Sequence, residues 1–452
     1  MTTLPLKSAV IGSPATAAVL APVEVLYLIS FLDLFSVSLI VPSLPSYVKS
    51  LGGDAVSIGY ISSLYGAIQM VSAPLAGVLS DIFDRRLVLL VGIAGSAVGY
   101  AILGFSMTLS MVVFSRVPCG VFKHTLSTVR LAVADQTLPN ARADALGKIN
   151  AYSSFGFIFG PLVGGILGAY PNGFNYTAML TAVVFCCNYV LVLLYVPPAK
   201  PKVVASREIL CDDPTDIDPM LLDTDRDAPE VAHDIRSIAR AVLDKLSDYK
   251  DILALSPIAR NLLSVRLLMA AAAILFRSHF MLLLEEKYNA SSTTRGYVLS
   301  YMGGLAASSG LVVGRLVAWV QSETLLVQGA SVVYVLTFLS IAMSTSLPMV
   351  LALQAPQVVA ISVLRACSVS LQTASVAPES LGGIMGVSDS LTALARTAGP
   401  LLSGYLYVMS SAGPAYGATA LATVSCVLFY ATMVRTHAPH APIVALHRNH
   451  DE

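Results

Sequence analysis

Long apolar runs separated by short polar segments occupy most of the chain. Each run holds about 20 mostly apolar residues, the length that a helix needs to cross the hydrocarbon core of a bilayer. The runs lie near residues 24–47, 57–80, 87–106, 108–134, 146–169, 175–197, 261–284, 294–319, 325–346, 348–375, 385–409 and 415–435. The pattern therefore predicts an all-α membrane protein with twelve transmembrane helices.

The two halves of this pattern repeat each other. At a constant offset of 237 residues, the second run matches the eighth through Gly59 and Gly296, Tyr60 and Tyr297, Ser63 and Ser300, Gly66 and Gly303, and Gly77 and Gly314. At an offset of 239, the fifth run matches the eleventh through Gly147 and Gly386, Gly160 and Gly399, Pro161 and Pro400, and Gly165 and Gly404. A repeat of this kind predicts two parallel six-helix bundles with a binding site between them near the midplane.

Composition agrees with a membrane environment. Hydrophobic residues make up 56% of the chain and charged residues only 12%, against about 25% charged in an ordinary soluble domain. The net charge is zero, so nothing suggests a nucleic-acid partner. The six cysteines show neither disulfide nor zinc-site spacing, and the chain carries no nucleotide loop or catalytic triad pattern. We expect neither an enzyme nor a cofactor or metal site.

The polar segments divide the chain into five parts. We expect a cytoplasmic N-terminal segment at 1–22, an N-terminal bundle at 23–198, a linker at 199–258, a C-terminal bundle at 259–436 and a cytoplasmic tail at 437–452. The linker is acidic from Glu208 to Asp234 and then places apolar residues at helical spacing, which predicts an amphipathic helix on the inner membrane face.

Basic residues predict the orientation. Arg85, Arg86 and Arg142 fall in segments that are inside when both termini are inside, and the positive-inside rule favours this arrangement. The linker sequence Asp218-Pro-Met-Leu-Leu resembles a sorting signal read by endosomal adaptors. The multi-pass protein is therefore expected in the plasma membrane or in an endosomal or lysosomal membrane, with the choice open.

Charged residues within the runs are the most informative positions, because an ionised side chain at the bilayer centre costs at least about 2.5–3.5 kcal/mol. The charged positions, together with the adjoining His124, are Asp33, Arg116, Lys123, Arg277, Arg365, Asp389 and Arg396. A purely architectural interpretation pairs Asp33 with Arg116 or Lys123, and Asp389 with Arg396. Yet the deep basic residues outnumber the deep acids, which favours an anionic substrate. Arg116, Lys123 and Arg130 recur every seven residues in the fourth run, which also predicts one polar face on that helix.

Four stretches within residues 25–170 carry further motifs. They are Leu32-Asp33 with Pro42 and Pro45, the loop Gly77-Val-Leu-Ser-Asp81-Ile-Phe-Asp84-Arg85-Arg86, Arg116 and Gly120 with Ala134-Asp135, and Gly156-Phe-Ile-Phe-Gly160-Pro161-Leu-Val-Gly164-Gly165. Together they resemble the major facilitator superfamily, in the drug:proton antiporter branch that includes tetracycline exporters. The stretch Arg116-Val-Pro-Cys-Gly-Val-Phe-Lys-His-Thr-Leu-Ser further resembles an animal branch of that superfamily.

The resemblance implies two devices. Gly77, Asp81, Arg85 and Arg86 would form an inward gate held by charge in one conformation. Gly156, Gly160, Pro161, Gly164 and Gly165 would form the motif associated with antiporters; glycines at four-residue intervals permit close helix packing, and we expect a tight seam between the fifth and eleventh spans. Three positions depart from the pattern: Asp84 stands where glycine is usual, Ala318 replaces the second-half counterpart of Asp81, and Ala395 that of Gly156.

The leading hypothesis is a proton-coupled secondary transporter, most simply an antiporter, with Asp33 as the coupling site and the basic residues as a substrate clamp. One alternative is an organic-anion facilitator or exchanger. Another is a non-transporting membrane protein that acts through its acidic linker. The expected partners are a small molecule, protons and lipid, and the protein is expected to be monomeric.

Overall fold

Helices account for nearly all of the described chain. A computed structural model describes residues 22–138, 141–198, 257–374 and 381–436. Its helices are α1 (Pro22–Leu39), α2 (Leu44–Ser50), α3 (Ala55–Ile82), α4 (Arg85–Gly104), α5 (Leu109–Phe122), α6 (Thr125–Gln136), α7 (Arg142–Leu167), α8 (Gly173–Tyr195), α9 (Pro257–Tyr288), α10 (Ser292–Val320), α11 (Glu323–Met343), α12 (Leu347–Ala374), α13 (Leu381–Met409) and α14 (Gly413–Thr436). The predicted terminal segments, the acidic linker and its amphipathic helix fall almost entirely outside the described residues.

The helices make twelve passes, which confirms the predicted fold class. Helices α1 and α2 together form the first pass, and α5 and α6 together form the fourth. Among the described residues, nine segments are long and apolar enough to cross a membrane by themselves. The second, fourth and eleventh passes, formed by α3, by α5 with α6 and by α13, complete the set.

Side-chain caps explain where several helices begin. Asp54 accepts a hydrogen bond from the Ser57 amide at 2.8 Å at the start of α3, and Ser291 and Ser322 cap α10 and α11 in the same way. Such caps satisfy amide groups that have no partner within the helix. Hydrogen bonds from the Ser57 hydroxyl and amide hold the pKa of the exposed Asp54 carboxyl below its usual range.

Two symmetric seams join the bundles. Helix α3 packs on α13, and α7 packs on α10. Glycines permit the close approach: a Cβ on Gly59 would lie 2.5 Å from the Pro400 carbonyl oxygen, and a Cβ on Gly296 would collide with the carbonyl of Pro161, the repeat counterpart of Pro400. The predicted seam between the fifth and eleventh spans is therefore wrong, because these spans belong to different seams.

The bundles meet at one end of the molecule. We call it the Asp54 end; it carries the loops at 51–54, 105–108, 168–172, 289–291, 344–346 and 410–412. Hydrogen bonds join Ser43 to Ser292 at 2.7 Å and the Leu401 amide to Ser63 at 3.0 Å. Toward the opposite end, which we call the Arg85 end, a Cβ on Gly77 or Gly314 would meet nothing within 4 Å. The seams thus close near the Asp54 end and open along the same helices toward the Arg85 end.

The fourth pass is interrupted. Helix α5 ends at Phe122 and α6 begins at Thr125, and the backbone leaves helical geometry at Lys123, with φ −79° and ψ 64°. The predicted continuous polar face is therefore wrong. Arg116 is buried, Lys123 lies in the interruption, and Arg130 is exposed and donates to Asn150 at 3.1 Å.

Candidate functional site

A buried ion pair lies at the centre of the N-terminal bundle. The Lys123 ammonium lies 2.5 Å from both carboxylate oxygens of Asp33. Asp33 is fully buried, the Lys123 side chain is 9% exposed, and the ammonium also lies 5.3 Å from the centre of the Phe185 ring. Of the two predicted partners of Asp33, Lys123 is the one that forms the pair.

Helix α3 contacts the interruption beside this pair. The Gln69 amide donates to the Lys123 carbonyl at 3.2 Å, and the Ser72 hydroxyl donates to the Gly120 carbonyl at 2.9 Å. The His124 Nε2 lies 2.8 Å from the same Ser72 hydroxyl. The Ser72 hydroxyl bridges the Gly120 carbonyl and the His124 ring. His124 is thus part of the interruption rather than of the ion pair.

Arg116 supplies a second buried cation in the same bundle. It is 6% exposed, and its Nε and Nη2 atoms are buried without a hydrogen-bond partner in the described structure. Its charge acts electrostatically on Tyr65, as does that of Asp33. A buried guanidinium with open donors is chemically suited to a carboxylate or another oxyanion.

Three arginines of the C-terminal bundle lie deep along their helices yet expose their side chains. Arg277 lies 6.0 Å from the centre of the Phe157 ring of the other bundle, so it faces the space between the bundles. It interacts electrostatically with Arg365 and Tyr334. Arg396 is exposed beside the α3–α13 seam. Within the described residues, none of the three arginines has a carboxylate in ion-pair contact.

Asp389 does not pair with Arg396, so that predicted pair is wrong. Its carboxylate lies 3.7 Å from Arg266, and its side chain is 77% exposed. Asp389 sits eight residues into α13, toward the Arg85 end, where water can solvate it. Arg266 also donates to Gln372 of α12 at 3.1 Å.

The residues of the predicted gate gather at the Arg85 end. Arg85 is buried and places Nε 3.1 Å from Asp135 and Nη1 2.5 Å from the Ser80 hydroxyl. Arg86 donates to the Leu193 carbonyl at 2.7 Å. The side chain of Asp81 lies outside the described part of the chain. Asp84 takes the usual place of glycine without strain, because its φ is −58° and its side chain caps α4 by accepting from the Arg86 amide.

The glycines of the predicted antiporter motif bring α7 against two neighbours. A Cβ on Gly156 would lie 2.8 Å from the Phe35 amide nitrogen, one on Gly160 would lie 2.5 Å from the Phe35 carbonyl oxygen, and one on Gly164 would collide with Leu39. These three glycines face α1, the helix that carries Asp33. A Cβ on Gly165 would lie 2.8 Å from Gly296, and Pro161 contacts Gly296 as well. Gly165 and Pro161 therefore pack in the seam between α7 and α10.

Charged residues at the Asp54 end form a network that the sequence interpretation missed. Lys49 lies 2.6 Å from Glu286, which also accepts from the Tyr407 hydroxyl at 2.7 Å. Ser46 donates to Glu285 at 2.6 Å, and Arg295 pairs with the same carboxylate. A signal was available: Lys49 and Glu286 have opposite charges at the offset of 237 residues that relates the two halves, and equivalent positions near a two-fold axis face each other.

A cleft of 790 Å³ lies away from these charges. It opens between α3, α5 and α13, and its lining includes Tyr60, Phe114, Val117, Leu401 and Tyr405. Because it holds neither Asp33 nor any of the arginines, its mainly apolar walls do not form part of the charged site.

Known proteins with similar sequences and folds are membrane transporters. The model of the Major Facilitator Superfamily matches residues 26–344. Mouse solute carrier family 22 member 18 is 27% identical over 387 residues, covering 84% of this chain and 88% of the relative. The class D tetracycline resistance protein of Salmonella ordonez is 31% identical over 181 residues, covering 39% of this chain and 45% of that protein.

The fold comparison agrees. The crystal structure of the human organic anion transporter MFSD10 (TETRAN) aligns with a TM-score of 0.62 at 24% identity, covering 90% of this chain and 98% of that one. The family match, the twelve-pass fold and the resemblance to tetracycline exporters agree with one another. Transporters of this family are not enzymes, and their architecture supports secondary transport of small molecules. The chain belongs to the Major Facilitator Superfamily.

Proposed function

We propose that the protein is a proton-coupled secondary transporter of an organic anion. Since protonation would favour anion binding in the arrangement of Asp33 and Lys123, the proposed coupling is cotransport of proton and anion rather than the antiport that the resemblance implies. The observation that carries the proposal is the fully buried Asp33–Lys123 pair. Protonation of Asp33 would release the Lys123 ammonium, and a buried ammonium without its counter-ion favours another anion strongly. Protonation of Asp33 would thereby raise the affinity of the site for the anion.

The other basic residues supply the remainder of the proposed clamp. Arg116 presents two buried donors without partners in the described structure. Arg277 faces the space between the bundles, and Arg365 is close enough to act on it electrostatically. Two cations that lie close together repel each other unless an anion separates them. Arg277, Arg365 and Arg396 are therefore proposed to complete the clamp from the C-terminal half.

The two groups of contacts at the ends of the molecule suit alternating access. The network of Lys49, Glu285 and Glu286 is proposed as the barrier at the Asp54 end, and the Arg85 region as the gate at the other end. The predicted orientation would make the Asp54 end the outer one. Human MFSD10, whose structure shares this fold, is an organic anion transporter, which agrees with the proposed substrate class.

Transport by the purified protein in liposomes tests the proposal. A panel of radiolabelled mono- and dicarboxylates is supplied with and without a pH gradient. We expect gradient-driven accumulation of at least one carboxylate by the wild type. Asp33→Asn should abolish that accumulation and retain exchange of carboxylate for carboxylate, since exchange needs no proton transfer.

Two outcomes would contradict parts of this proposal. If Asp33→Asn keeps full gradient-driven accumulation, the aspartate is a structural member of an ion pair and the coupling role is wrong. If the wild type equilibrates carboxylates without responding to a pH gradient, the protein is an organic-anion facilitator. The double variant Asp33→Asn with Lys123→Gln controls for the unpaired lysine, since it leaves no buried charge at this position.

A further inference from the structure

The interruption of the fourth pass is a defined turn. At Lys123 the backbone has φ −79° and ψ 64°, and the His124 amide donates to the Phe122 carbonyl at 2.8 Å. These values describe an inverse γ-turn centred on Lys123. The residue that pairs with Asp33 is therefore also the residue at which the helix changes direction.

A turn at this depth needs partners for the backbone carbonyls that the helix would have satisfied, because the hydrocarbon core offers no water. Gln69 and Ser72 provide them for the Lys123 and Gly120 carbonyls. These residues are three apart on α3 and thus lie on one face of it. Only the NH₂ group of Gln69 can face a carbonyl oxygen, which fixes the orientation of its amide.

The repeat shows that proline alone does not cause the turn. Helices α5 and α12 begin 238 residues apart, so Pro118 corresponds to Pro356, yet α12 continues without interruption from Leu347 to Ala374. The contact between Ser72 and His124 also has a counterpart, Ser309 with Ser362 at 2.7 Å. The differences lie elsewhere: Ala306 stands for Gln69, Val358 stands for Gly120, and Ile361 stands for Lys123.

We propose that Gln69 is a positioning residue that holds the turn at Lys123 and thereby places the ammonium on Asp33. The half that has glutamine at this position has the turn and the buried lysine, and the half that has alanine has neither. The proposal concerns how the pair is held, and its importance for transport rests on the proposed function.

Chemical labelling of Lys123 tests the positioning role without any substrate. The full chain in liposomes is treated with a membrane-permeant lysine-acylating reagent, and modification of the Lys123 peptide is measured by mass spectrometry. In the wild type the buried pair protects Lys123, and Asp33→Asn serves as the positive control. Gln69→Met keeps the side-chain length and removes the donor, so labelling should rise about tenfold, the effect of one lost buried hydrogen bond.

Two further variants keep the test decisive. Ala306→Met places the same side chain at the equivalent position of the other half and should leave Lys123 labelling unchanged. Gln69→Asn shortens the amide and should raise labelling in the same direction, which serves the test if Gln69→Met does not fold. Labelling of both folded Gln69 variants at the wild-type rate would overturn the proposal.

Transport provides a separate readout. Gln69→Met should reduce pH-gradient-driven carboxylate accumulation about tenfold while exchange changes by less than about twofold, a split that general loss of structure would not produce. If labelling rises and gradient-driven accumulation stays normal, the positioning role of Gln69 stands and the coupling role proposed for the ion pair fails.

Discussion

Arg116 carries a buried guanidinium whose Nε and Nη2 donate no hydrogen bond in the described structure, and this has an unusual consequence for its removal. A buried charge without a partner destabilises the empty protein. Arg116→Met should therefore leave the melting temperature unchanged or higher. If Arg116 binds the anionic group of the substrate, the same variant should lose about 1.5–3 kcal/mol of binding free energy, or roughly ten- to a hundredfold in affinity.

Thermal unfolding in detergent and carboxylate binding to the same preparations check this prediction. Asp33→Ala is the contrasting variant, because it leaves Lys123 buried and unpaired, a change that costs about 3–5 kcal/mol in comparable cases. A melting temperature that falls as far in Arg116→Met as in Asp33→Ala, together with unchanged binding, would show that Arg116 is structural.

Residue identity predicted the central pair but not its details. An aspartate in the first apolar run required a cation, and the sequence offered Arg116 and Lys123 as candidates. It could not choose between them, because a continuous helix would have placed both on one face. The turn at Lys123 decides the matter. That turn depends on Gln69 of α3, and neither position 123 nor position 124 holds a glycine or proline that would predict it from the sequence.

At the scale of helices, the glycines of α7 fix how closely α1 approaches. A Cβ on Gly160 would lie 2.5 Å from the Phe35 carbonyl oxygen and would also collide with Ser38. The Phe35 carbonyl belongs to the backbone of α1 and cannot move aside as a flexible side chain can. Gly160→Ala should therefore destabilise the protein by about 1–3 kcal/mol through overpacking. Since α1 carries Asp33, Lys123 labelling should rise in the same variant.

Gly147→Ala is the matched control on the same helix. Nothing lies within 4 Å of a Cβ at Gly147, and alanine favours a helix over glycine by up to about 1 kcal/mol. This variant should be as stable as the wild type or more so. Thermal unfolding of the two variants decides the point: equal stability of Gly147→Ala and Gly160→Ala would mean that α1 and α7 can move apart at no cost.

Helix-level features were largely predictable because they follow from periodic patterns. Apolar runs of about 20 residues gave the passes, and the repeat gave two parallel bundles. The seams were not predicted correctly. The glycines at four-residue intervals in the fifth span suggested that this span packs on the eleventh, whereas α7 packs on α10 and α13 packs on α3. The repeat makes the two seams equivalent, but it does not predict which helices pack together in each seam.

At the scale of the whole molecule, an ion pair joins the two bundles at the Asp54 end. Lys49 and Glu286 lie 2.6 Å apart with side chains 39% and 36% exposed. A pair this exposed contributes at most about 1 kcal/mol, which corresponds to about a fivefold change in an equilibrium. Such a contact can hold this end closed and still release it during a transport cycle.

Cross-linking can measure the closure of this end directly. The hydroxyl oxygens of Ser43 and Ser292 lie 2.7 Å apart on opposite bundles, so cysteines at both positions should form a disulfide when the end is closed. The exposed Cys186 and Cys187 are replaced by serine in all samples. Lys49→Glu places two carboxylates together and should slow cross-linking about fivefold.

Reversal of both charges provides the control. Lys49→Glu combined with Glu286→Lys restores opposite charges between the bundles and should restore most of the cross-linking rate, although Tyr407 then loses its carboxylate acceptor. The incomplete recovery that Tyr407 causes should itself disappear when Tyr407→Phe is added. If the single and double charge variants cross-link at the wild-type rate, the packing of α3 on α13 and of α7 on α10 closes this end without help from charge.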